Sequence, residues 1–253
     1  MPRRRFLVAR DQIQNRTVIL PPDQAHHLRY VLRLSAGDEV ELIDGEGNGY
    51  VGNVEVRGAK IRIVDLERLA HTDAPSPSLT LAPALIKSDR FEWILQKATE
   101  LGVLEIIPLR TRFCKIHLPE SRIADRLERW QRIVGEAAKQ CRRLSLPQIR
   151  PAMSFPEFLK LENLPACNRL MFYEKAAETW SSQSLRAGST VLCIGPEGGW
   201  DASEVEAAER AAFKMINLGP RILRAETAAI AGITLIQFRS GISAQPHSKL
   251  LQD

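Results

Sequence analysis

Two loops in the last third of the chain carry residue types that chemistry needs. The first, Gly195-Pro196-Glu197-Gly198-Gly199, follows an apolar run of strand character over 190–194. Its three glycines let backbone N–H groups come close to a ligand. Asp201 sits where it can cap the next helix, with Glu204 at the capping-box position. Open α/β sheets bind ligands beyond strand ends of this kind. The spacing is neither G-x-G-x-x-G nor a Walker A loop, and a tight strand-to-helix turn without a ligand is the alternative.

The second loop, 216–229, leaves a strand at Gly219-Pro220, carries Arg221 and Arg224, and enters a helix near Glu226. An ordinary surface ion-pair cluster has the same composition. The helix that follows is apolar almost all round, and Ala228, Ala229, Ala231 and Gly232 allow another backbone to approach. Such a helix is expected to be buried, and a second subunit is one way to bury it.

Weaker candidates lie elsewhere. His26 and His27, in a helix with Arg29 and Arg33, could touch RNA; a satisfied structural histidine is the commoner case. Arg90, Trp93 and Lys97 share a helix face and could hold a phosphate or a base, or form a charged surface around a half-buried Trp. Cys114, Cys141, Cys167 and Cys193 have no metal-ligand or CxxC spacing, and no HExxH or Ser-His-Asp order is present, so no metal is expected.

The elements that must position these residues read as two domains. The chain has 253 residues, 44% hydrophobic and 26% charged, the balance of an ordinary globular protein. Its longest apolar stretch, 228–236, is far short of the roughly 20 residues of a spanning helix, and four dispersed thiols suggest a reducing compartment; a cytoplasmic protein is expected. Residues 1–35 carry seven Arg against two Asp, residues 36–73 four basic against nine acidic, and residues 74–150 fourteen basic against eight acidic. Two Arg-rich blocks make a plausible nucleic-acid footprint, and two solvated faces are the alternative.

Pro75 and Pro77 mark a linker over 70–78. Before it, strands are expected at 6–9, 17–20, 39–43, 49–56 and 60–66, with one helix at 22–34 whose Ala25, Leu28, Val31 and Leu32 face inward, together a small β-barrel over 1–73. After it, strands at 79–86, 105–110, 169–174, 190–194 and 214–218 alternate with helices at 88–101, 120–143, 203–212 and 226–239, an α/β domain over 74–253 with a mainly parallel sheet. Ile123, Leu127, Trp130, Val134, Ala137 and Cys141 form a helical core stripe.

The two loops together, Gly195-Pro-Glu-Gly-Gly199 and then Leu218-Gly219-x-x-Ile222-Leu223-Arg224-x-Glu226-Thr227-Ala228, resemble the knotted SPOUT methyltransferases, and within them the ribosomal RNA small-subunit methyltransferase E family. Residues 3–6, His27-Leu28, Val31-Leu32-Arg33, Gly37-Asp38, Asp44-Gly45, Lys87, Arg90, 96–102, Glu136-Ala137 and Gln140 extend the likeness along nearly the whole chain; Cys141 departs from it, where Ser is expected. The resemblance implies an α/β fold with a deep trefoil knot, preceded by a PUA-like barrel that binds RNA. It implies a homodimer that methylates uridine N3 in 16S rRNA, within the assembled small ribosomal subunit. S-adenosylmethionine would be held by Phe172, Glu174, Gly195, Pro196, Glu197, Gly198, Leu218, Gly219, Ile222, Leu223, Arg224, Thr227 and Ala228. Arg221, Arg224 and Glu226 are the candidates for base orientation and charge management. Arg3, Arg5, His27, Arg29, Arg33, Lys87, Arg90, Lys97 and Arg142 are the candidate RNA contacts. A ribose 2′-O-methyltransferase and a non-catalytic RNA-binding module are the competing readings.

Overall fold

A computed structural model of the chain describes residues 3–58, 60–70, 78–162, 164, 167–181, 185–186 and 188–239. The proline-bearing linker at 71–77 lies outside them. The described residues fall into two compact units, one of 3–70 with 138–146 and one of 78–137 with 147–239. The stretch 138–146, which the sequence reading gives to the second domain, packs with the first: Leu146 N–H donates to the Gly45 carbonyl and Arg142 reaches Glu41.

The first unit is a five-stranded sheet of β1 (Arg4–Leu7), β2 (Val18–Ile19), β3 (Glu39–Ile43), β4 (Gly49–Arg57) and β5 (Lys60–Arg68), in the order β1-β3-β4-β5-β2. The register shifts between Val51 and Asn53, where a Cβ on Gly52 would meet the Val64 carbonyl at 2.7 Å. A bulge with a glycine bends the strand there. The sheet curls over Phe6, Val40, Leu42, Ile61 and Ile63, yet β1 and β2 remain its two edges, so it is a half-barrel rather than a closed one. Helix α1 (Pro22–His26) widens into a π-helical turn over His27–Val31, closed by the Leu32 N–H on the His27 carbonyl. That turn advances less than 100° per residue, so Leu28 is buried but Val31, expected to face inward, is 60% exposed.

The second unit runs β6 (Leu79–Pro83), α2 (Ser88–Glu100), β7 (Glu105–Ile106), β8 (Leu109–Arg110), α3 (Ile123–Cys141, ending in the first unit), β9 (Gln148–Ile149), β10 (Met153–Ser154), α4 (Phe155–Leu159), β11 (Asn168–Phe172), β12 (Thr190–Ile194), α5 (Ala202–Arg210), β13 (Lys214–Ile216) and α6 (Ala225–Arg239). Six strands form one sheet in the order β13-β11-β12-β6-β7-β9, every pairing parallel. β6 and β12 are buried along their whole length, as strands covered on both faces must be. Helix α6 lies on β12 and β6 beside α2. A Cβ on Gly232 would come within 2.7 Å of both Phe172 and Leu192, so only glycine lets the helix lie this close to the sheet. Among the described helices, none is long and apolar enough to cross a membrane.

Candidate active site

The last residues of three neighbouring strands are level: Phe172 of β11 pairs with Ile194 of β12 on one side and Ile216 of β13 on the other. The chain passes from β11 to β12 and then returns across β11 to β13, so the order reverses at this point. A crevice opens at such a switch point beyond the strand ends. It is lined by Phe172, Tyr173 and Glu174 after β11, by Ile194 and 195–200 after β12, and by Ile216, Asn217, Leu218, Gly219, Arg221, Ile222, Leu223, Ala225 and Ala228 after β13. The two loops singled out by sequence thus form two walls of one cleft, with Phe172 and Glu174 between them.

The first loop is built tightly. The Trp200 indole donates to the Phe172 carbonyl at 2.9 Å, tying the loop after β12 to the end of β11. A Cβ on Gly195 would meet that indole nitrogen at 2.8 Å. Gly198 faces Phe113, whose Cβ a new Cβ would approach to 2.8 Å, so it is glycine because another chain segment lies against it. Gly199, at φ +74°, donates its N–H to the Pro196 carbonyl. Asp201 then caps α5 through the Ser203 N–H, Glu204 answers to the Asp201 N–H, and its other oxygen accepts from the Arg112 N–H. The Ser203 hydroxyl, and then its N–H, hold the Asp201 carboxyl below its ordinary range.

The second loop hangs from Asn217. Its side chain accepts from the Gly219 N–H and donates to the Ala176 carbonyl at 2.7 Å, an Asx turn that presents Gly219 at φ +100°. A Cβ at Gly219 would meet nothing within 4 Å. Beyond it Arg221 and Arg224 are exposed, and Ile222 is 84% exposed. Arg224 contributes its carbonyl to the first turn of α6, and neither its side chain nor that of Thr227 lines the cleft.

Arg90, on α2, joins the two walls. Its Nη1 lies 3.2 Å from Glu197 Oε1 and its Nε 3.8 Å from Glu226 Oε1. The Glu226 side chain is only 13% exposed, and its Oε2 is buried with no hydrogen-bond partner among the described residues. Arg90 is therefore committed to carboxylates rather than presented as an RNA contact, and Lys97 is likewise held by Glu100 at 2.8 Å. Lys87 is exposed before α2. In the first unit Arg5 is a correction of the same kind: its guanidinium chelates Glu41 at 2.6 and 2.9 Å with both side chains 8% exposed, leaving nothing to offer a phosphate. Arg3 pairs with Glu39 and Arg142 with Glu41, while His27, Arg29 and Arg33 stand exposed.

Sequence reasoning missed Trp200 and Asn217, which set the two walls. The signals were an aromatic directly after Gly-Gly and an Asn two residues before a glycine. Burial pushes the Cys193 thiol up, in keeping with an inert core residue.

The fold and cleft are those of an RNA-modifying enzyme class. Residues 73–237 match the RNA methyltransferase domain family, and residues 20–66 match the RNA methyltransferase PUA domain family. Ribosomal RNA small subunit methyltransferase E of Synechocystis is 35% identical over 92% of this chain and 76% of its own length, and that of Rickettsia conorii is 33% identical over 88% and 91%. The Neisseria gonorrhoeae methyltransferase E, solved bound to S-adenosylmethionine, superposes with a TM-score of 0.79 at 33% identity, covering 94% of this chain and 98% of its own. A Legionella pneumophila methyltransferase, solved with the same cofactor, gives 0.83 at 28% identity over 94% and 98%. The chain belongs to the ribosomal RNA small subunit methyltransferase E family.

Proposed function

We propose that the protein transfers a methyl group from S-adenosylmethionine to N3 of a uridine in 16S rRNA, acting on the assembled small subunit in the cytoplasm as a homodimer. The cleft's composition supports the cofactor. Ile194, Ile216, Leu218, Leu223 and Ala228 offer apolar walls for a nucleoside, and Glu174 and Glu197 offer negative charge to a cationic one. When bound, S-adenosylmethionine supplies an electrophilic methyl on a sulfonium. The return of α6 from the edge strand β13 across to β12 and β6 supports the knotted threading of the family.

The observation that carries the uridine reading is the free, buried Oε2 of Glu226. Uridine N3 holds a proton at neutral pH and is a poor nucleophile until that proton leaves. An anchored carboxylate oxygen with no partner of its own is suited to accept it. Arg90 positions that carboxylate; Arg221, at the cleft, is placed to meet the charge that spreads to the base carbonyl oxygens. Arg224 anchors the start of α6. Trp93, Ile222 and Phe238 are exposed on this unit, and a second copy of the chain would cover such apolar side chains.

The test is nucleoside analysis of 16S rRNA from small subunits treated with the protein and cofactor. N3-methyluridine is expected, with the neighbouring phosphodiester still open to alkali. An alkali-resistant linkage would instead mark a ribose 2′-O-methyltransferase, and cofactor binding with no methyl transfer would mark a non-catalytic module.

A further inference from the structure

We propose that the turn 26–33 of the first unit is a platform on which an unpaired RNA base stacks, with Tyr30 as the ring and Arg29 and Arg33 on the flanking phosphates. It rests on the RNA reading above and adds a contact that the sequence motifs do not contain.

The N-terminal arginines are not equivalent. Arg3, Arg5, Arg10 and Arg16 each lie within 3.5 Å of a carboxylate, those of Glu39, Glu41, Glu46 and Glu67. Arg29 and Arg33 meet no carboxylate among the described residues; Arg29 makes only a long bond to the Gly58 carbonyl. The unspent positive charge of this helix therefore sits on either side of Tyr30. The tyrosine is 63% exposed, and its ring is held rather than loose. The His26 ring lies 4.7 Å away, tilted by 38°, and the Arg29 guanidinium carbon is 5.9 Å from the ring centroid.

The backbone explains why an aromatic faces water here. A regular α-helix would carry Val31 inward three residues after Leu28. The π-helical turn over His27–Val31 turns Tyr30 and Val31 outward together, and Arg33, at φ +56°, ends the turn. Turns of this kind forgo regular hydrogen bonding and recur at functional sites. A fixed ring between cations is what a single-stranded base and its phosphates recognise, and stacking is tolerant of sequence. A protein partner would use the same patch as plain apolar area.

The experiment is fluorescence anisotropy of the full chain with a labelled, unstructured RNA of about 12 nucleotides, repeated across salt concentrations. Tyr30→Ala should weaken binding about tenfold and leave the salt slope unchanged, because no phosphate contact is lost. Tyr30→Phe should bind like the wild type, and Tyr30→Leu should bind as poorly as Ala. The Phe and Leu variants keep the decision open to test even if Ala lowers folding stability. Arg29→Gln with Arg33→Gln should lower the slope by about one. Full affinity in Tyr30→Leu would overturn the platform in favour of apolar docking, as would a Tyr30 effect of equal size on a fully paired duplex. A wild-type chain that does not bind the single strand also overturns it. Methyl transfer is not read in this assay, so failure of the methyltransferase reading would show separately, in the nucleoside analysis.

Discussion

The two walls of the cleft are made of similar residues and built in opposite ways. The loop after β12 is packed against its surroundings at every glycine: Gly195 against Trp200, Gly198 against Phe113, and Gly199 in a hydrogen-bonded turn. The loop after β13 is fastened at Asn217 and again where α6 begins, with exposed residues between. A wall fixed before binding offers its backbone at low entropic cost, whereas an open one is free to be completed by whatever docks on it. The first wall therefore suits a small cofactor, and the second a macromolecular substrate or a second subunit.

The largest difference should appear when a methyl group is added to each wall. Gly198→Ala places a Cβ 2.8 Å from that of Phe113, and such overpacking typically costs about 1–3 kcal/mol. It should lower the melting temperature and abolish calorimetric binding of S-adenosylmethionine. Gly219→Ala meets no atom and is strained only by its φ of +100°, about 1–3 kcal/mol of backbone energy that the open loop can relax by turning. It should weaken cofactor binding by a smaller factor with little change in melting. Equal losses from the two substitutions would mean that the walls are equally rigid.

Arg90→Met should come next, since it cuts the one cation that both walls share. Leaving the nearly buried Glu226 carboxylate without its cation should cost about 1 kcal/mol of stability, because Arg90 is itself 31% exposed. Turnover should fall about tenfold or more with the KM for S-adenosylmethionine nearly unchanged, as expected for a positioning residue. Arg90→Lys, which keeps charge but loses the fork, should fall between the two. A rise in the KM for RNA alone would return Arg90 to the RNA-contacting face expected from sequence.

What could be read from the chain divides along the same line. The first wall was legible because its signals are local: an apolar strand, glycines, then Asp201 and Glu204 three apart. The second was legible as composition, but not its anchor at Asn217, which works by holding Ala176 far back in sequence. Arg5 could not be withdrawn from the RNA contacts without knowing that β1 and β3 pair with Arg5 opposite Glu41. Val31 was misplaced because a π-helical turn leaves no mark in a period of 3.6. The two-residue strands β9 and β10 are too short to show a period at all. Helix α4 had a readable Ser154–Glu157 capping box, but only five residues follow it.

The smallest expected effect separates the walls by acid. The Asp201 carboxyl, held below its ordinary range by Ser203, caps the helix that backs the first wall, and the second wall has no carboxylate in that role. A carboxyl with a depressed folded-state pKa stabilises the fold above its unfolded pKa, near about 3.9, and that contribution is lost as pH falls through the folded value. Asp201→Asn retains a capping oxygen but cannot titrate. The wild type should therefore melt slightly higher than Asp201→Asn at neutral pH, by a constant margin down to about pH 5, and the margin should close below about pH 4. Cofactor affinity should follow the same course in the wild type only, since the cap supports the Gly195–Gly199 wall. A margin that persists at low pH would show that the carboxylate's charge plays no part in holding this loop.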